Sequence, residues 1–279
     1  MPTLPCVLER LRRVLADPNS NNTSLVAVLA CDPALATRVL RVSNSAYYVP
    51  QKSCDLQKSV AQLGFGTISQ ALKNVAVCKT FEDDKLGRFD RAEFWRHSIA
   101  VAVITRAIAM QSGSMSPAEA YTCGLLHDIG KLVFDQYLHA EFAKALANAA
   151  AGRKPLVMAE KETTQLDHTM IGEMGAKNWH LTPTALAAIR WHHTELADRK
   201  GLGATDELIV DIVRVADALA HEIGYGGSGD GAPPEWTPSL TERLPLSEGA
   251  IDRIRQSAGA EIDRAAQSVD LPRRTVTTP

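Results

Sequence analysis

The sequence predicts an all-α fold. Apolar residues recur at three- and four-residue spacing, strict apolar/polar alternation is absent, and aromatics make up only 5% of a chain rich in Ala. The first pattern marks helices that bury one face; the second would have marked half-buried strands. With 279 residues and 45% hydrophobic content, the chain is long enough for one large domain or two small ones around a substantial core.

A first helix is expected over residues 4–16, stopped by "DPNSNN", and a second begins after Thr23 or Ser24, either of which can cap it. Asp32-Pro33 opens a third through "ALATRVLRVSN", with proline in the first turn. "SAYYVPQKSCD" reads as a connection, "LQKSVAQLG" as a short helix, and "TISQALKNVAVCKTF" as a longer one after Gly64 and Gly66. Charge and glycine in "EDDKLGRFD" interrupt the pattern and divide a helical lobe of residues 1–86 from a second of residues 87–279, the two forming one continuous module. Further helices are expected at 90–111, 117–138, 139–151, 155–164, 168–178, 183–193, 206–222 and 247–269. "GYGGSGDGAPPEWTP" is the one long loop and "RRTVTTP" a frayed tail.

Thirty basic against 32 acidic residues give a net charge of -2, so no overall field recommends nucleic acid or an anionic membrane as partner. The five cysteines, Cys6, Cys31, Cys54, Cys78 and Cys123, are odd in number and never in a C-x-x-C, which argues against a disulfide framework or a zinc ribbon. The first residues lack the apolar core of a signal peptide. The most hydrophobic window, residues 99–110, is broken by Arg106 and too short to span a bilayer. A cytoplasmic protein is expected.

The chemistry-bearing residues are His97 in "EFWRHS", His127 and Asp128 in "YTCGLLHDIGK", His168 in "LDHTMIG", His192 and His193 in "RWHHTE", and Asp217 in "VRVADALA". Imidazoles and carboxylates from several helices suit one or two divalent ions, with Fe, Mn, Zn and Ni all compatible. Asp217 interrupts an apolar helix face, where a carboxylate buried without a partner would cost several kcal/mol. On a helix His127, Asp128 and Lys131 crowd one turn, which puts an ammonium beside the ligand pair; that suits phosphate chemistry, with Asp128 and Lys131 in catalytic roles. Asp128 can also bridge two ions. Arg190 is a second cation that could meet a phosphate, or a solvated helix residue. Lone histidines such as His139, His180 and His221 are given no site role.

The order His97, His127-Asp128, His168, His192-His193, Asp217 resembles that of the HD superfamily of metal-dependent phosphohydrolases, and "GLLHDIGK" is similar to its signature segment. Within it the sequence resembles the HDOD domain, a mostly bacterial signalling module. The likeness runs through "PTLPCVLERLRRVLADPNS", "ACDPALATRVLRVSNSAYY", "SVAQLGFGTISQALKNVAV", "HTMIGEMGAKNWHLTPTALAAIRWHH" and "IVRVADALAHEIGYG", nearly the whole chain. The resemblance implies that His97, His127, Asp128 and Asp217 hold one ion, that His168 and His192, with His193 near, add a second bridged by Asp128, and that Lys131 approaches substrate phosphate. Asn44 and Ser45 match an HDOD hallmark; for Asn44 the residue itself suggests a helix C-cap. The related HD-GYP family, which hydrolyses cyclic di-GMP, carries a Gly-Tyr-Pro segment after its paired histidines. "HHTELADRKG" lacks one, so that activity is not carried over.

Three readings follow. The first is a signalling protein that binds metal and a nucleotide-like ligand and passes a state change to a protein partner. The second is an active phosphohydrolase or phosphodiesterase, and the third a metal-free interaction scaffold.

Overall fold

Several helix starts in this chain are fixed by short polar side chains. In the computed structural model, which describes residues 3–45, 52–73, 89–227 and 229–272, Asp90, Ser116, Asp167 and Thr182 each accept from a backbone N–H in the first turn of the helix they precede. Caps of this kind stabilise a helix by about 1 kcal/mol each. The helices are α1 (Pro5–Ala16), α2 (Asn22–Leu29), α3 (Pro33–Ser43), α4 (Leu56–Lys73), α5 (Arg91–Ser112), α6 (Pro117–Leu126), α7 (Ile129–Tyr137), α8 (His139–Gly152), α9 (Leu156–Thr164), α10 (His168–Asn178), α11 (Pro183–Trp191), α12 (Ala204–Glu222) and α13 (Ala250–Ser268). No strand occurs among the described residues, so the fold is all-α as expected.

Three local readings need correction. The cap of α2 is Asn21, whose Oδ1 accepts from the Thr23 and Ser24 amides; Ser24 only returns the favour by accepting from the Asn21 amide, in a capping box. The two helices expected around Gly64 run on as α4, with a break at Gly64, whose φ of 76° and ψ of 154° are accessible to glycine at little cost. The helix expected over 117–138 is divided into α6 and α7 by a break at His127 and Asp128.

α5 is the central strut. It is buried on nearly every side from Phe94 to Thr105 and packs against α6, α12 and α13, as a helix apolar all round must. In the first lobe α2 and α3 pack on α4, and α3 and α4 reach α6. The boundary expected between residues 86 and 87 lies outside the described residues, as do the second half of "TISQALKNVAVCKTF", Cys78 and the tail. One contiguous set of buried apolar side chains nevertheless runs from Leu4 to Leu271. Asn44 does end α3. Its side chain also donates to the Ser53 carbonyl and accepts from the Ser53 amide, both at 3.0 Å, which anchors the approach to α4. Cys6, Cys31, Cys54 and Cys123 are free thiols, and no described helix is long and apolar enough to cross a membrane.

Asp32 ties the lobes together. This fully buried carboxylate accepts from the Leu35 amide at 2.7 Å, from the Trp95 indole on α5 at 3.0 Å, and from the Thr3 hydroxyl. Burial pushes its carboxyl up to about 6, against the lowering effect of the Leu35 amide and Trp95. Asp32→Ala leaves those donors without an acceptor and should cost about 1–3 kcal/mol at pH 7 in urea unfolding. Because the folded state holds the Asp32 proton above its ordinary value of 3.8, the aspartate is relatively more stabilising at low pH. The loss should therefore be larger at pH 4 and shrink as pH rises through 6.

Candidate metal centre

α6 and α7 deliver the central pair. α6 ends at Leu126; His127 keeps helical angles, and Asp128, at φ −98° and ψ 11°, leaves the helix before α7 begins. Two glycines explain why the chain turns here. A Cβ on Gly124 would lie 2.7 Å from Thr105 Oγ1 and 2.9 Å from Ala102 Cα, so α6 is pressed onto α5. A Cβ on Gly130 would lie 1.9 Å from the His168 carbonyl oxygen, so α7 is pressed onto α10. The Gly124 carbonyl accepts from the His127 ring at 2.7 Å, so the side chain takes a bonding site the helical ladder would use.

Around this break stand His97 on α5, His168 at the start of α10, His192 and His193 just beyond α11, and Asp217 and His221 one turn apart on α12. Asp128 faces two ways. Its Oδ2 lies 3.4 Å from His127 Nε2 and 4.0 Å from His97 Nε2; its Oδ1 lies 3.3 Å from His168 Nε2 and 3.5 Å from His192 Nε2. Asp217 Oδ1 lies 3.1 Å from His97 Nε2 and 3.5 Å from His221 Nε2. Ligand atoms held about 2.1 Å from a tetrahedral ion stand roughly 3.4 Å apart, so these spacings are compatible with a shared cation.

The imidazoles are oriented from behind. His127 Nδ1 is satisfied by the Gly124 carbonyl, His192 Nδ1 by the Ala188 and Ile189 carbonyls at 2.9 and 3.1 Å, and His168 Nδ1 by Glu160 at 2.7 Å. Each partner accepts from Nδ1, so Nε2 is the nitrogen turned inward. His127, His168, His192, His193, His97 and His221 all present a buried Nε2 without a hydrogen-bond partner, and Asp128 Oδ1 and Asp217 Oδ1 are likewise unpartnered. A packed protein rarely buries so many unpartnered polar atoms together. The donor set fits a divalent cation that accepts nitrogen and oxygen, in the groups His97–His127–Asp128, His97–Asp217–His221 and Asp128–His168–His192–His193.

Charge follows the same geometry. Burial favours a neutral Asp128, but Lys131 and His127 outweigh it and hold the carboxyl well below its ordinary range. Burial alone would lower His168, but the Glu160 carboxylate carries it up to about 10. His192 and His193 go the other way: burial lowers both, and for His193 the neighbouring His192 and His168 add to the effect. Lys131, fully buried, keeps its proton because Asp128 at 2.7 Å and Asp230 at 3.4 Å offset its desolvation.

The candidate ligands singled out from the sequence therefore gather at one place together with Lys131, whereas Arg190 pairs with Glu173 at 3.3 Å, donates to Thr169, and stacks on Trp191. Of the histidines set aside, His139 pairs with Asp135 and His180 is exposed, but His221 stands in the cluster. Its position four residues after Asp217, on the same helix face, was the available signal. Glu160 and Asp230 carried none. Its inner groups are buried, with His97 and Lys131 at 0% exposure and Asp217 at 3%, while His193 and His221 are half-buried and a cavity of about 530 Å³ opens beside His221. A cavity of about 600 Å³ lies elsewhere, lined by Val26, Arg106, Tyr121 and Glu261 among others and by none of the candidate ligands.

The close approach of α7 to α10 gives a direct test. Gly130→Ala should cost about 3 kcal/mol, because its methyl group overlaps backbone that cannot yield. Gly66→Ala, a helical position with nothing within 4 Å, should be neutral or stabilising by up to about 1 kcal/mol in the same urea unfolding experiment.

Residues 1–195 match the HDOD domain family; the match ends before Asp217, so the likeness read further along the sequence falls outside it. An uncharacterized protein of Treponema pallidum (strain Nichols) is 26% identical over 197 residues, which are 69% of this chain but only 37% of that protein. The MmoQ response regulator of Methylococcus capsulatus shares the fold with a TM-score of 0.75 at 20% identity, over 91% of this chain and 97% of that one. An HDOD domain protein of unknown function from Geobacter sulfurreducens is 26% identical with a TM-score of 0.52, over 96% of this chain and 91% of that one. The match over 195 of the 279 residues makes this chain a member of the HDOD domain family.

Proposed function

We propose that this HDOD protein is a signal-transduction regulator whose His/Asp centre holds one or two divalent metal ions and which passes a ligand-dependent state to a protein partner. The observation that carries the reading is Asp128: its two oxygens face two different sets of imidazole nitrogens, all buried and all without hydrogen-bond partners. His97, His127, Asp128 and Asp217, joined by His221, would hold one ion; His168, His192 and His193 would hold a second, sharing Asp128. When bound, such an ion supplies Lewis acidity toward a phosphoryl oxygen and toward water.

The chain's own residues favour regulation over turnover. Lys131, the cation that would meet a phosphoryl group, is fully buried and already paired with two carboxylates. The fold it shares with a response regulator supports a place in signalling. The second reading, a metal-dependent phosphohydrolase or phosphodiesterase acting on a nucleotide-like substrate, is supported by the 2.7 Å contact of Lys131 with Asp128. In it Asp128 and Lys131 are the catalytic pair, Lys131 keeping its proton to neutralise phosphoryl charge.

Elemental analysis of the purified chain should find one to two Fe, Mn, Zn or Ni ions per molecule, with His127→Ala and Asp128→Ala each losing metal. Metal well below one per chain after reconstitution would leave the interaction scaffold as the answer. Glu160→Gln, which removes the carboxylate behind His168, should weaken metal binding about 10- to 100-fold in a competition titration with a chelator. Turnover of phosphomonoesters or cyclic dinucleotides by the metal-loaded protein, abolished in Asp128→Ala, would decide for the enzyme; its absence is expected.

A further inference from the structure

The Gly/Pro-rich segment after α12 does more than connect helices. Residues 229–232 lie as a strap over α8 and the start of α9, so close at Gly229 and Gly231 that neither position has room for a side chain. A Cβ on Gly231 would stand 1.9 Å from the Ala149 carbonyl oxygen, and one on Gly229 2.6 Å from Leu146 Cδ2. The Ala232 amide donates to the Lys154 carbonyl at 3.2 Å. Between them the strap points Asp230 inward: one oxygen accepts from the Leu156 amide, in the first turn of α9, at 2.8 Å, and the other lies 3.4 Å from Lys131 Nζ. Its side chain is 2% exposed.

A buried ammonium and a helix-start amide converging on one anion make a site suited to a phosphoryl oxygen. Here that anion is the protein's own carboxylate, which shares Lys131 Nζ with Asp128, whose other oxygen faces the unpartnered His168 and His192 nitrogens. We propose that the strap is an autoinhibitory contact: Asp230 occupies the anion position of the metal centre, and a phosphoryl-bearing ligand reaches Lys131 only by displacing it. This rests on the reading of Lys131 as the residue that meets phosphate, and it extends that reading to how the site is regulated. The pair Asp230–Lys131 holds the strap down; the glycines let it lie flat enough for the pair to form.

Two substitutions lift the strap by different routes. Asp230→Ala removes the competing anion. Gly231→Ala leaves Asp230 intact but gives the strap a methyl group that overlaps α8. Equilibrium dialysis of the full chain against radiolabelled inorganic phosphate, with and without metal, should show both variants binding at least tenfold more tightly than wild type. Adding Lys131→Met to Asp230→Ala should remove the gain. Asp230→Asn, which keeps the shape and an acceptor for the Leu156 amide, carries the test should truncation unfold the chain. Folded variants that bind phosphate no more tightly than wild type would overturn the proposal. Metal content measured on the same samples keeps the two questions apart: a chain that holds no metal defeats the metal reading, while the metal-free dialysis still decides the strap.

Discussion

The rest of the centre depends on the position of one carboxylate at a break between two helices. Asp128 stands where α6 stops and α7 starts, with each oxygen turned to a different group of histidines and Lys131 against its Oδ2. A charged carboxylate at 1% exposure is expensive unless cations or donors surround it, so its neighbours are not free to vary independently. Lys131 supplies one positive charge; the unpartnered nitrogens ask for more.

The fold serves that requirement through close backbone contacts. Gly124 lets α6 sit on α5, which carries His97, and Gly130 lets α7 sit on α10, which carries His168. Both contacts are tighter than a side chain would allow, and the chain between them carries His127 and Asp128. α12, packed on α5 and α11, brings Asp217 and His221 from the other side. Among the described residues the helices α1 to α4 add no candidate ligand; they are fastened to α5 through Asp32, which reaches Trp95 two residues before His97. Stability of the lobe contact and geometry of the centre thus meet on α5.

Much of this was legible before any coordinates. Helix positions followed from apolar spacing, a local signal, while the caps Asp90, Asp167 and Thr182 emerged with the fold. The histidines and aspartates were legible because polar residues on apolar helix faces need a reason. The break at His127-Asp128 was not, since Leu-rich flanks read as one helix and its cause lies in α5 and α10, remote in sequence. Glu160 and Asp230 escaped for a similar reason: each acts on a residue, His168 or Lys131, that only folding brings near. His221 was passed over as a lone histidine, although its spacing from Asp217 placed both on one face.

The measurement that bears most directly on the bridging carboxylate is an anomalous difference map from crystals of the protein grown with Mn or Zn. The account predicts density between Asp128 and the His97, His127 and Asp217 side chains, with a second peak toward His168 and His192 where a second ion binds. A map with no density beside either oxygen of Asp128, and that carboxylate bonded to Lys131 alone, would contradict it.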